Sequence, residues 1–415
     1  MDICIRELGA VGDGETLNTA VIQKAIEDCH ASGGGKVIIS GGRYLTGTLI
    51  LRDNVELHLE ASGVLLGSPR CQDYPEHADM RHADPKKLPR WRSGCLIFAE
   101  ECSNIGITGP GTIDVNGDKF VVPREAGKRG WLYHRIDAPT PPRVVFFTGC
   151  RNIRVEDITM TNQPAGWSFW IHDCDFVTFD KVKVLANVNY PNNDGIHLNC
   201  CRNVTVSNCI MTNGDDCIVV RSNNVSLPED KISERIVVTN CTLTSYAAGI
   251  LVGFINCGTI RNCSFSNLVM TDCSWGIQLF MPYIDPAEPG YGPSDIGRNA
   301  TLIENISFSH VIMDHVASIP VQIHVDDNPA VRVRAIRNIC FSDVHANGLE
   351  LPWLKGRADC RLENIQFNDC SFEMTDDSAF PNRFDRPFEY GDTAHHPMVT
   401  RYADLRLNNT SFSFR

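Results

Sequence analysis

The 415-residue sequence predicts an all-β chain wound into a right-handed parallel β-helix, with a helix capping its first coil. Three observations carry that fold class. A phrase Asn-(Ile/Val)-x-(aliphatic or aromatic) keeps returning, at Asn104, Asn152, Asn203, Asn305, Asn338 and Asn364, with degenerate copies at Phe176 and Arg235. Each copy alternates apolar and polar residues, the period-2 mark of a short strand with one buried face. Turn residues, not helical spacers, separate the copies, and several spacings fall near 24 to 27 residues. Short strands at that period suit coils stacked on one another; a leucine-rich repeat would need a leucine ladder, and a propeller a period of about 40.

The remaining elements follow in chain order. Asn18 is placed to cap a helix through Thr19–Ile26 that ends at Gly33-Gly34-Gly35, within an N-terminal cap of about 1–50. Such a helix covers strand edges and core that a terminal coil leaves open. Segments at about 70–100, 115–145 and 281–300 lack the repeat and read as long loops grafted on the solenoid, where binding residues tend to sit. The expectation is a single domain over 1–415 with insertions.

Composition narrows the function. No apolar run reaches the roughly 18 residues of a spanning helix, which argues against a membrane protein. A net charge of −12 offers nothing to neutralise phosphates, so nucleic acid is not an expected partner. The same charge gives an anionic polysaccharide no long-range attraction. The opening Met1-Asp2-Ile3-Cys4 lacks a basic and then apolar leader, which predicts a cytoplasmic protein. Eighteen cysteines recur partly in a repeated phrase, at Cys209, Cys241, Cys263 and Cys370, and none has zinc spacing. They read as reduced residues at equivalent places in successive coils. No cofactor and no metal are expected; His324 with Asp326 and Asp327 lacks a partner at ligand spacing.

The chemistry concentrates in Asn192-Asn193-Asp194-Gly195-Ile196-His197, followed by Gly214-Asp215-Asp216-Cys217-Ile218. Asp194 precedes Asp215 by 21 residues, close to one coil, so it is expected beside the Asp215–Asp216 pair. Gly195 and Gly214 are candidate bends that let neighbouring carboxylates face one cleft. Clustered carboxylates repel, so at least one should keep its proton beside ionised partners. Glycoside hydrolysis needs that pairing of acid and base. The alternative is that acidic, Gly-rich stretches are solvated turns.

These residues resemble the polygalacturonase family, glycoside hydrolase family 28, over nearly the whole chain. Gly9–Gly14, Gly109–Asp114 and Asn162–Trp167 look like family landmarks, and the two aspartate phrases are the specific part. The resemblance implies an inverting hydrolase in which Asp215 is the general acid. Asp194 and Asp216 would then hold and deprotonate water, at a separation of about 6.5–9.5 Å from the acid. Arg221 matches a position usually held by lysine; it either keeps the aspartates ionised or is an ordinary exposed arginine.

The sequence departs from the family pattern downstream. Ala248 stands where a Gly-His-Gly histidine is expected, and Gln278 and Phe280 replace the two cations of an Arg-Ile-Lys phrase that binds the sugar carboxylate. The expected substrate is therefore a carbohydrate with a neutral terminal sugar, from pectin-derived oligosaccharides or plant glycosides, attacked from its end. Asn192, His197, Arg221, Tyr246, Gln278 and Phe280 are the candidate substrate contacts. On an alternating strand His197 faces outward, as a sugar contact or a surface histidine. Trp131, Tyr133, Trp170, Tyr246, Trp275, Tyr283 and Trp353 are candidate stacking platforms, although any single one better suits core packing or loop anchoring. Alternatives are an exo-polygalacturonase, a β-helix lyase or epimerase using Ca²⁺ on the aspartates, and a sugar-binding protein without catalysis.

Overall fold

A computed structural model describes residues 1–124, 132–164, 166–288, 291–375 and 398–414. Each coil lends one strand to an 11-stranded sheet and the rest of its strands to a 22-stranded sheet. Coil-to-coil pairings are parallel: Phe169 lies over Ile196, then Ile218, Ile250, Ile277 and Val321. All six are fully buried, and one apolar core runs from Ile3 to Met374. The chain is a right-handed parallel β-helix, the hand that twisted parallel strands favour in their connections.

The repeated phrase marks one sharp corner. Its first residue is left-handed at every copy, with φ between 52° and 57° at Asn104, Asn152, Phe176, Asn203, Arg235, Asn305, Asn338 and Asn364. Asparagine tolerates that conformation better than most residues. Its side chain also bonds the copy one coil away: Asn152 Nδ2 donates to Asn104 Oδ1 at 3.0 Å, and Asn338 to Asn305 at 2.9 Å. Past the corner the apolar positions stack at the rung spacing. Phe265, Phe308, Phe341 and Phe367 form a column with centroids 4.8, 5.0 and 4.7 Å apart. All 18 cysteines are free thiols, and Cys209, Cys241, Cys263 and Cys370 are buried at the corners where their phrase recurs.

The first coil is covered by a helix over Thr19–Ala31, which buries Ile22, Ala25, Ile26 and Cys29. Asn18 does not cap it through its side chain. The amide instead ties back to the preceding turn, accepting from Val11 N at 2.8 Å and donating to the carbonyls of Val11 and Thr16.

The insertions gather on the outward face of the 11-stranded sheet. Met80, Ala83 and Leu88 from the first pack with Trp167 and Trp170 in a cluster outside the main core. Asp84 N donates to Ser226 O at 2.8 Å, and Asn223 Nδ2 to Ser294 O at 3.1 Å, so the first and third insertions both meet the turn after Arg221. These insertions are not pure loop: strands Ile97–Glu100 and Arg143–Thr148 belong to the 11-stranded sheet. In the second insertion Val121–Pro123 pairs antiparallel with Tyr133–Arg135, while Trp131 lies outside the described residues.

Candidate active site

The 11-stranded sheet positions the site. Strands Trp167–His172, Ile196–Asn199, Ile218–Arg221, Ala248–Val252 and Trp275–Met281 are neighbours in it. Their outward residues form rows, one of which runs Trp170, His197, Val219, Leu251, Gln278, Gln322 and Trp353.

Asp194 and Asp216 each sit two residues before a strand. Gly195 N donates to Asp216 O at 2.8 Å, which stacks Asp194 directly on Asp216. One oxygen from each of Asp194, Asp215 and Asp216 lies within 4.8 Å of the others. The rung spacing of the ladder sets how close the stacked residues come. The two glycines are required for space, not as free hinges. A Cβ on Gly195 would sit 2.2 Å from Cys217 O, and one on Gly214 would sit 2.4 Å from Tyr190 O.

Asn192 is left-handed, with φ 53°, and its Nδ2 donates to Asp215 Oδ2 at 2.9 Å. Asp216 Oδ1 accepts from Ala248 N at 2.9 Å. The alanine at the expected histidine position thus serves the cluster through its backbone. His197 differs from expectation. It does point outward, but it is only 1% exposed, because Trp167 stacks on it at 4.4 Å. Its Nε2 lies 2.8 Å from Asp194 Oδ2, so it contacts a carboxylate and is not a surface histidine. Arg221 is likewise not exposed, at 8%, with its guanidinium carbon 4.2 Å from the Phe254 centroid and 5.9 Å from that of Trp167.

The other candidate contacts lie further along the sheet. Gln278 is buried and donates to Gln322 Oε1 at 2.6 Å. Phe280 is half-buried against His324, which in turn stacks on Trp353. Tyr246 is buried in the wall, and so is Trp170. Tyr133 packs on Tyr190, Trp275 is half-buried, and Tyr283 is exposed.

Burial dominates the electrostatics. It raises the Asp194 carboxyl to about 7, against the pull of Arg90 and Arg221. Burial, then the charge of Asp194, raises Asp215 to about 8. Asp216 is also raised, by burial and by both acidic neighbours. The protons belong to the cluster as a whole, and Asp194 is the member on which both Arg90 and Arg221 act most directly. His197 is pushed down by burial and by Arg221, Arg90 and Arg143, so its imidazole is neutral. The site therefore offers a carboxylic acid beside a carboxylate, the pair that acid–base cleavage of an acetal requires. Three oxygens so close also have the donor chemistry of a hard cation site.

Sequence reasoning missed Arg90, Arg143, Tyr291 and Asp295. Arg90 and Arg143 each place a guanidinium carbon 5.2 Å from the Trp167 centroid. Burial raises Asp295, and Arg90 and Arg221 oppose that rise. Tyr291 feels the charges of Asp215 and Arg90. Arg90, Tyr291 and Asp295 lie in insertions without periodicity, where no pattern signals them; Trp167 was visible only as a landmark.

Comparison with known proteins agrees with this architecture. The chain is 27% identical to a probable polygalacturonase of Vitis vinifera, over 66% of this chain and 55% of that protein. It is 28% identical to an exo-poly-alpha-D-galacturonosidase of Dickeya chrysanthemi, over 52% of this chain and 41% of that protein. The match thus spans about half the length of these relatives. Among solved structures, the exopolygalacturonase of Thermotoga maritima superposes with a TM-score of 0.77 at 20% identity, covering 100% of this chain and 92% of that one. The Yersinia enterocolitica family 28 exopolygalacturonase gives 0.69 at 20%, covering 100% and 75%. The family profile described as glycosyl hydrolases family 28 matches residues 86–349, more than half of the sequence and all of the aspartate cluster, and the chain belongs to that family.

Proposed function

We propose that this chain is an exo-acting, inverting glycoside hydrolase that removes terminal uronate residues from pectin-derived oligosaccharides. The observation that carries the reading is the buried cluster of Asp194, Asp215 and Asp216, with a protonated carboxyl beside an ionisable one. Asp215 donates its proton to the leaving glycosidic oxygen. Asp194, ionised and bonded to His197, takes a proton from water held between it and Asp216. Inversion draws on the resemblance to the family 28 pattern, and it needs one carboxyl as acid and a second as base to the attacking water. The exo preference draws on the insertions, which fill the outward face beside the aspartates. The uronate draws on the names of the relatives, several of which are called exopolygalacturonases. A cytoplasmic site of action is part of the proposal, and the 18 free thiols suit a reducing compartment.

Hexagalacturonate followed by proton NMR tests the whole reading. Galacturonate should accumulate before any trimer or tetramer, with the new reducing end formed as the anomer opposite to the bond cleaved. Retained configuration would replace inversion by a covalent intermediate, and early trimers without monomer would replace exo by endo action.

A second reading has its own observation. Gln278 is satisfied by Gln322, and Phe280 by His324, so the positions that hold cations in the family pattern are neutral here. That favours a neutral terminal sugar. Release from a neutral glycoside, with none from trigalacturonate, would establish it.

A further inference from the structure

We propose that Arg90 and Arg221 form a relocated carboxylate-binding site, which holds the uronate at the cleaved bond from the side opposite to Gln278 and Phe280. The proposal rests on the uronate reading above and names the residues that would make it work.

The geometry of Arg90 is unusual. It has φ 64° and ψ 14° inside the Pro89–Trp91 turn, a left-handed conformation that costs free energy for an arginine. The turn is held there by Arg143, whose guanidinium donates to the carbonyls of Pro89 and Arg92 on either side of Arg90. Arg92 in turn bonds Glu76 Oε1 at 2.8 Å and Pro139 O at 2.8 Å. Two arginines are thus spent on anchoring the turn. Arg90, the residue they frame, forms no ion pair or side-chain hydrogen bond among the described residues.

Arg221 likewise has no ion-pair partner among the described residues, in a buried place. It is 8% exposed, its Nε has no acceptor, and no carboxylate of the described residues pairs with it. A buried guanidinium without an acceptor is costly, and stays only where something else satisfies it. Both guanidinium carbons lie over the same ring, at 5.2 and 5.9 Å from the Trp167 centroid. Trp167 stacks on His197, which bonds Asp194. The two cations therefore flank the reacting end of the cleft. The nearby carboxyls of Asp194, Asp215, Asp216 and Asp295 all hold their protons more tightly than usual, so they do not neutralise the pair fully. A site with free cations inside a chain of net charge −12 suits an anionic sugar, and guanidinium forks suit a carboxylate.

The test is calorimetry on the Asp215→Asn protein with digalacturonate and with its dimethyl ester, before and after adding Arg90→Gln. The acid should bind about 10- to 100-fold more tightly than the ester, and Arg90→Gln should remove most of that preference. Arg90→Lys keeps the charge without the fork and should recover part of it; it also serves if the glutamine variant fails to fold. Equal affinity for acid and ester in the parent, or a preference that survives in both Arg90→Gln and Arg221→Gln, would overturn the proposal. Wild-type cleavage of trigalacturonate, measured in parallel, separates the two readings. Cleavage without acid selectivity keeps the hydrolase and removes the arginine site; acid-selective binding without cleavage does the reverse.

Discussion

The Nε2 of His197 lies 2.8 Å from Oδ2 of Asp194, in a wall where the two residues are 1% and 3% exposed. Burial drives the imidazole neutral and raises the carboxyl to about 7, so below that pH both members are uncharged. Once Asp194 ionises, Nε2–H donates to it and stabilises the charge.

His197→Phe removes that donor but keeps a ring under Trp167. The acid limb of the kcat profile should then move to higher pH, with kcat reduced about 10- to 100-fold and KM little changed. A purely structural histidine would lower the melting temperature and leave the limb in place.

The raised carboxyls also make a prediction for stability. A carboxyl whose folded pKa exceeds its unfolded value binds its proton more tightly in the folded state. Stability is therefore lost as pH rises from 3.8 towards about 8, the folded value for Asp215. Asp215→Asn removes the ionisation. By thermal denaturation the variant should melt above wild type at pH 8, with the gap closing towards pH 4. A variant less stable than wild type at every pH would contradict the burial argument.

Gly195→Ala tests the tight stacking of the aspartates. The added Cβ meets Cys217 O at 2.2 Å, and that carbonyl is fixed by accepting from Ile196 N at 2.8 Å. The strand has to shift, so activity should fall at least about 100-fold, with stability down by about 1–3 kcal/mol. Unchanged kinetics would mean that the cluster tolerates a displaced Asp194.

Much of the fold was legible because its rule is local. Asparagine at a left-handed corner, followed by an apolar alternation, recurs at Asn104, Asn152 and Asn203 and can be read without knowing what lies opposite. The meeting of the aspartates was legible for the same reason, since one coil of sequence is one rung of the ladder. What escaped depended on contacts between distant segments. His197 is outward by periodicity, yet Trp167 covers it. Arg90 approaches the aspartates from an insertion held by Arg143, and nothing in the spacing links those residues. Asn18 has the residue type of a helix cap, but the Val11 turn captures its amide.

Three close carboxylate oxygens also match a Ca²⁺-using lyase. The acid–base account predicts that EDTA leaves the rate unchanged and that no unsaturated product absorbs in the ultraviolet. Loss of activity with EDTA, restored by Ca²⁺, would favour the lyase.

The most direct measurement is the turnover of trigalacturonate by wild type and by Asp215→Asn, with folding of both checked by circular dichroism. The account predicts that wild type releases galacturonate, fastest between the values near 7 and 8 that govern Asp194 and Asp215. It predicts a kcat lower by about 100- to 10,000-fold in the variant. A folded Asp215→Asn protein that keeps wild-type kcat would contradict the assignment of Asp215 as the acid, and with it the central claim.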